Sequence, residues 1–145
     1  MYSVLYLSEF CIKLQKSFIM EKAFIYNQHQ IHQDWLSRLQ FYKEEIQILK
    51  ERLQEITSKN NSKEALAKAE HFQNQFIVQR NNIDELAHSI KVHEAKIVQE
   101  IEKNPVAIEH RKVDKHVEEE NFMSYFEKNF SELRAEYSRF SAEWM

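Results

Sequence analysis

The chain of 145 residues contains no glycine and a single proline, Pro105. Glycine and proline are the residues that most often form turns, hairpins and phosphate-binding loops. A chain that lacks them has few places to reverse direction, and the apolar residues of this one recur at helical spacing. We therefore expect an all-α protein in which a few turns separate long, coiled-coil-like helices.

Apolar and aromatic residues repeat at alternating spacings of four and three in the first and third of three stretches, and mainly at sevens in the second. A seam of this kind is buried against neighbouring helices in coiled coils and bundles. The three seams predict helices over about 20–58, 62–103 and 105–144. Their principal members are Trp35, Leu39, Tyr42, Ile46, Leu49, Leu53 and Ile56, then Phe76, Ile83, Ile90 and Ile97, then Phe126, Phe130, Leu133, Tyr137, Phe140 and Trp144.

Two short polar stretches separate the predicted helices. Asn60 and Asn61 tolerate the left-handed backbone conformation that glycine usually supplies, and Asn61 or Ser62 can cap the second helix. Asn104 suits an N-cap and Pro105 suits the first position of a third helix, with a kinked continuous helix as the alternative. Because short connections make neighbouring helices antiparallel, we predict an up-down-up antiparallel three-helix bundle.

The bundle is predicted to occupy residues 20–145. A first helix that matches the other two, of about 40 residues each, begins near residue 20. Residues 1–19 are then an N-terminal overhang or a helical extension of the bundle, unless the segment folds back over apolar surface. Met20 is an alternative start of translation in this interpretation.

Composition and charge exclude several classes of function. The net charge is -3, from 20 basic and 23 acidic residues, and we find no basic stripe of the kind that binds nucleic acid. No apolar run of about 18 residues predicts a membrane span. The one cysteine, Cys11, excludes an intramolecular disulfide and fits a reducing, cytoplasmic location. Phosphate loops and dinucleotide fingerprints need glycines, so we expect a non-enzymatic protein without a cofactor.

The histidines are the strongest chemical signal in the sequence. Six of the seven fall toward one end of the predicted bundle, where imidazoles and carboxylates on facing helices could bind iron, manganese or zinc. The alternative is that they are half-exposed polar residues, or a layer that loosens when it is protonated. The candidate metal ligands are His29, His32, His93 and His116.

Three neighbouring features bear on that hypothesis. Glu85 and His88 have the Glu-x-x-His spacing of di-metal bundles, but their helical phase points them to solvent. Val113 and Val117 belong to a stripe that is out of phase with the seam that begins at Phe126, and the sequence leaves open which of the two faces the core. The acidic run 118–120 is expected to form a solvated face.

Apolar residues outside the seams predict a contact surface. Phe41 and Ile48 lie seven residues apart on the flank of the first helix, and Ile77 and Val78 lie at a similar level on the second. Exposed apolar patches are typical of partner surfaces. A protein partner, or a second copy in a homo-oligomer, is therefore expected here, although the patch could also be the boundary of a wide apolar face.

Three stretches, HFQNQFIVQRNNIDELAHSI, NPVAIEHRKVDKH and FEKNFSELRAEYSRFSAEWM, resemble a family of small, uncharacterised helical bacterial proteins. The resemblance begins near Met20 and covers the rest of the chain. It implies a bacterial, cytosolic setting and no particular chemistry. The expected function is thus a helical bundle that acts in protein interaction or self-association, with a metal-binding bundle as the alternative.

Overall fold

The computed structural model describes residues 2–103 and 110–145, with side chains over 4–16, 19–20, 23–99, 102–103 and 115–145. The described residues are almost entirely helical, so the all-α prediction is confirmed. Three helices occupy them: α1 (Tyr2–Lys59), α2 (Lys63–Lys103) and α3 (His110–Trp144). The predicted break at Asn104 and Pro105 lies outside the described residues.

Contacts between the helices give their directions. Lys43 Nζ of α1 lies 2.7 Å from Asp84 Oδ1 of α2, and His29 of α1 contacts Glu94 of α2. A later residue of α1 therefore contacts an earlier residue of α2. These two helices are antiparallel.

The third helix returns alongside the first. Ser89 meets Glu119 and Lys68 meets Glu143, which makes α2 and α3 antiparallel. Arg134 on α3 contacts Glu45 on α1, seven residues beyond the contact of Glu127 with Arg38, so those two helices run in the same direction.

The predicted seams form the core between the three helices. Leu39 and Ile46 of α1, Phe76 of α2 and Phe130 of α3 are almost completely buried. Aromatic rings from different helices pack against one another, as in the contact between Tyr42 and Phe130, whose centroids lie 4.9 Å apart. Burial of these side chains provides the main driving force for the association of the helices.

The first turn forms without a left-handed residue, contrary to the expectation for Asn60 and Asn61. None of the described non-glycine residues has a positive φ. Instead, the side-chain amide of Asn60 donates to the carbonyl oxygens of Ile56 and Trp144, at 2.8 and 3.1 Å. Ser62 precedes α2, and its Oγ accepts a long hydrogen bond from the backbone N–H of Ala65, as an N-cap does.

Helix α1 begins at Tyr2 and not near residue 20, so the first residues form a continuous helical extension. The reason is that residues 4–20 contain neither glycine nor proline to end the helix. Large apolar side chains are exposed along the extension, among them Leu7 and Phe10. No helix among the described residues combines the length and hydrophobicity that crossing a bilayer requires.

Candidate metal-binding site

Near one end of the bundle, the heptad seams bring polar side chains into the core. On α1, His32 stands one turn before Trp35, and on α2, His93 stands one turn after Ile90. Both imidazoles are buried, and His32 is completely inaccessible to solvent. The heptad positions that hold apolar residues elsewhere in α1 and α2 therefore hold buried histidines at this level.

The third helix contributes His116 and Glu119 to the same level. Glu119 lies seven residues before Phe126 on the seam and is completely buried, contrary to the expectation that the acidic run 118–120 is solvated. Val117 is about half exposed, so the stripe of Phe126 faces the core at this level and the stripe of Val117 faces outward. The alternative that the sequence left open is thus resolved for Val117, while the side chain of Val113 lies outside the described residues.

The Glu119 carboxylate is the centre of the cluster. Its Oε2 lies 2.8 Å from Nδ1 of His93 and 3.4 Å from Nε2 of His32, and its Oε1 accepts a hydrogen bond of 3.4 Å from Ser89. One ligand atom from each of His32, His116 and Glu119 lies within 4.8 Å of the others. A carboxylate and imidazoles from three helices thus converge on one point.

The three imidazoles pack around this point. The ring centroid of His32 lies 5.3 Å from that of His93 and 5.6 Å from that of His116. The ring of His116 also stacks on Trp35, with centroids 5.2 Å apart and planes inclined by 17°. These contacts hold the imidazoles in place, with His32 and His93 buried and His116 partly exposed.

Several ring nitrogens in the cluster are buried without a hydrogen-bond partner among the described residues. They are Nδ1 of His32, Nε2 of His93 and Nδ1 of His116, while Nε2 of His32 faces the Glu119 carboxylate at 3.4 Å. A buried polar atom without a partner typically costs about 1–3 kcal/mol. Such atoms in a well-packed core point to a missing partner, and a metal ion accepts electron pairs from imidazole nitrogens of this kind.

Electrostatics keep two groups of the cluster in the form that binds metal. Burial lowers the pKa of His116, and the neighbouring His32 lowers it further, while Glu119 and Glu120 act in the opposite direction. Burial on its own would raise the pKa of Glu119, but contacts with His32 and His93 outweigh it and leave this pKa below its usual value. A neutral imidazole and an ionised carboxylate are the protonation states of metal ligands.

Two of the other histidines take no part in the cluster. His29, a predicted ligand, is half exposed and pairs with Glu94 of α2 outside the cluster. His32 instead of His29 lies at the level of His93. Glu85 and His88 are exposed, as their helical phase predicts, and the side chain of His110 lies outside the described residues.

Glu119 is the site residue that the sequence interpretation missed. The signal that identifies it is the heptad register of α3, in which His116, Glu119 and Met123 extend the seam of Phe126 toward the N-terminus. The acidic run and the competing valine stripe concealed that register, because both are typical of an exposed helix face.

A cleft of about 550 Å³ lies between α1 and α2 beside the cluster. His32 belongs to both, so the cleft and the cluster are adjacent. Its polar lining comes from Gln28, His29, His32 and Glu94, and its apolar lining from Ile25, Tyr26, Ile97 and Val98. Gln28 is buried, and its Nε2 has no hydrogen-bond partner among the described residues.

The predicted contact surface lies away from this site. Phe41 is 63% exposed, and Ile48, Ile77 and Val78 are about half exposed. The four side chains are thus accessible on α1 and α2.

No protein-family model, curated protein or solved structure matches the chain. The resemblance to small helical bacterial proteins therefore remains a prediction, and any assignment of function depends on the chemistry of the residues themselves.

Proposed function

We propose that this protein is a metal-binding helical bundle in which His32, His116 and Glu119 hold one transition-metal ion, with His93 as a fourth ligand or as the partner that orients Glu119. The observation that carries the proposal is the buried carboxylate surrounded by imidazoles whose nitrogens lack other partners. We propose that the ligands are carried by an up-down-up three-helix bundle. The contacts between α1, α2 and α3 among the described residues support this arrangement.

The donor atoms restrict the type of metal. Imidazole nitrogen and carboxylate oxygen suit zinc, iron, cobalt, nickel and copper, whereas magnesium and calcium prefer all-oxygen sites. The only cysteine, Cys11, is exposed on the N-terminal extension, so no thiolate is available to select soft metals. A divalent ion such as Zn²⁺ or Fe²⁺ fits this donor set.

Charge also favours an ion at this position. No lysine or arginine among the described residues pairs with the buried Glu119 carboxylate, which depends on imidazoles for compensation. Burying a charge is costly unless it is paired. A dication would neutralise the carboxylate and use the free nitrogen electron pairs at the same time.

The test is metal binding by purified full-length protein after treatment with a chelator. We expect Zn²⁺ and Co²⁺ to bind with a stoichiometry near one and to raise the melting temperature, since a ligand at 100 times its Kd adds about 2.7 kcal/mol to stability. His32→Ala and His116→Ala should abolish binding, while Mg²⁺ should not bind.

The matched control is His88→Ala, which removes an exposed histidine from the same helix as His93. It should leave metal affinity unchanged. Equal loss in His88→Ala and His116→Ala, or no stoichiometric binding by the natural sequence, would overturn the proposal. If the natural sequence binds no metal, the buried layer of His32, His93, His116 and Glu119 would serve only to fix the registry of the helices.

A second candidate function is protein interaction or self-association. The exposed apolar side chains of Phe41, Ile48, Ile77 and Val78 support it. Phe41→Glu together with Ile48→Glu should then reduce the sedimentation coefficient of an oligomer or release a partner. If mass in solution, stability and co-purifying proteins all stay unchanged, this patch is not a contact surface. The cytoplasmic location stays a prediction.

A further inference from the structure

We propose that the cleft beside His32 binds a short-chain monocarboxylate, whose carboxylate group completes the coordination of the metal. This inference depends on the proposed metal site. Where His93 orients Glu119 and the metal has three protein ligands, a transition-metal ion keeps an open position, which an external ligand can occupy. His32 lines the cleft and belongs to the metal site, so the cleft and the site share this side chain.

The polar lining supplies a second contact for an anion. Gln28 is 3% exposed, lines the cleft, and its Nε2 has no hydrogen-bond partner among the described residues. A side-chain amide donates hydrogen bonds to carboxylate oxygens. Gln28 and the metal would thus hold the same carboxylate.

The one acidic residue in the described lining is already engaged. Glu94 pairs with His29 and accepts a long hydrogen bond from Gln33, both on α1. These contacts occupy both carboxylate oxygens of Glu94.

The apolar lining selects a ligand with a hydrocarbon chain. Ile25, Tyr26, Ile97 and Val98 provide most of the remaining wall, and the volume of about 550 Å³ exceeds what formate alone would fill. Each buried methylene group should tighten binding by about fourfold. Butyrate should therefore bind at least about tenfold more tightly than formate.

The experiment uses full-length protein loaded with Co²⁺, whose visible spectrum reports a change in coordination. We expect butyrate to shift the spectrum in a saturable way and formate to need a much higher concentration. Gln28→Leu should weaken butyrate binding at least about tenfold. Gln79→Leu is the matched control, because Gln79 is also a buried glutamine with an unpartnered amide oxygen but does not line the cleft.

A second variant provides an independent test in case Gln28→Leu does not fold. Val98→Glu places a negative charge on a half-exposed position of the cleft and should abolish the butyrate response without loss of helicity. The inference is overturned if Co²⁺ binds but butyrate leaves the spectrum unchanged, or if Gln28→Leu and Gln79→Leu behave alike. Failure of Co²⁺ to bind overturns the metal site itself, so the two failures are distinguishable.

Discussion

Oε2 of Glu119, on α3, lies 2.8 Å from Nδ1 of His93, on α2, inside a core that consists mainly of apolar side chains. The contact joins α2 and α3 through a carboxylate and an imidazole, where apolar side chains could stabilise the fold equally well. Glu119→Gln preserves the shape of the side chain and removes its charge. We expect it to reduce Zn²⁺ affinity by more than about 100-fold, because loss of a ligand exceeds the 10–100-fold effect of outer contacts.

The control for that variant is Glu120→Gln, an exposed neighbour on the same helix. Isothermal titration of metal-free protein with Zn²⁺ measures both affinities. Similar affinities for the two variants would remove Glu119 from the site.

Without metal, the buried polar layer should reduce stability. The combined variant His32→Leu, His93→Leu and Glu119→Leu replaces it with apolar side chains of the kind found elsewhere in the seams. Replacing buried ionic groups by apolar ones is often neutral or stabilising by about 1–4 kcal/mol. Urea denaturation should therefore show an equal or higher free energy of unfolding, together with complete loss of metal binding.

A single replacement should behave differently. His93→Leu alone leaves the Glu119 carboxylate with fewer partners and should destabilise the metal-free protein. A triple variant less stable than His93→Leu would contradict this account, since it would mean that the polar layer itself stabilises the fold.

The metal-free protein should also lose stability on acidification. Because the pKa of His116 is lower in the folded state than its ordinary value of 6.5, the unfolded chain takes up a proton first, and stability falls as the pH drops through 6.5. The lowered pKa of Glu119 acts in the same direction below its ordinary value of 4.5. The groups that face His116 are His32, His93, Glu119 and Glu120.

Melting temperatures in the presence of a chelator test this prediction. We expect a clear fall between pH 8 and pH 5.5 for the natural sequence, and a smaller fall for His116→Gln, which cannot take up the proton. Equal melting temperatures at the two pH values would show that the imidazole layer is not linked to folding.

Much of the fold follows from the sequence because heptad spacing reports directly which residues are buried. Trp35, Phe76 and Phe130 were all predicted as seam residues and are all buried. The first turn was located correctly at Asn60, since a polar stretch interrupts the seam there. Its conformation does not follow from the sequence, because the hydrogen bond from Asn60 to the carbonyl oxygen of Trp144 depends on where α3 ends in space.

The candidate site was harder to predict. His32, His93 and His116 follow from clustering along the chain, but Glu119 does not, since its neighbours in sequence are acidic and exposed. His29 lies one turn before His32 on α1, and a shift of one turn between α1 and α2 decides which of these two histidines meets His93. Registry at that scale depends on side-chain packing between helices, which periodicity alone does not specify.

The contact between α1 and α3 provides a test of the helix order. Arg134 makes two hydrogen bonds of 2.6 Å to the Glu45 carboxylate, and its guanidinium lies 5.0 Å from the ring centroid of Phe130. Both charged side chains are partly exposed, so the pair should contribute only about 0.5–1 kcal/mol.

A double-mutant cycle with Glu45→Gln and Arg134→Gln, measured by urea denaturation, isolates that contribution. We expect a favourable coupling energy that decreases at high salt, because solvent ions screen partly exposed charges. The matched cycle pairs Glu45→Gln with Arg139→Gln, an exposed arginine on the same helix, and should show no coupling. Coupling that is absent from both cycles would contradict the parallel arrangement of α1 and α3, on which the convergence of His32 with His116 and Glu119 depends.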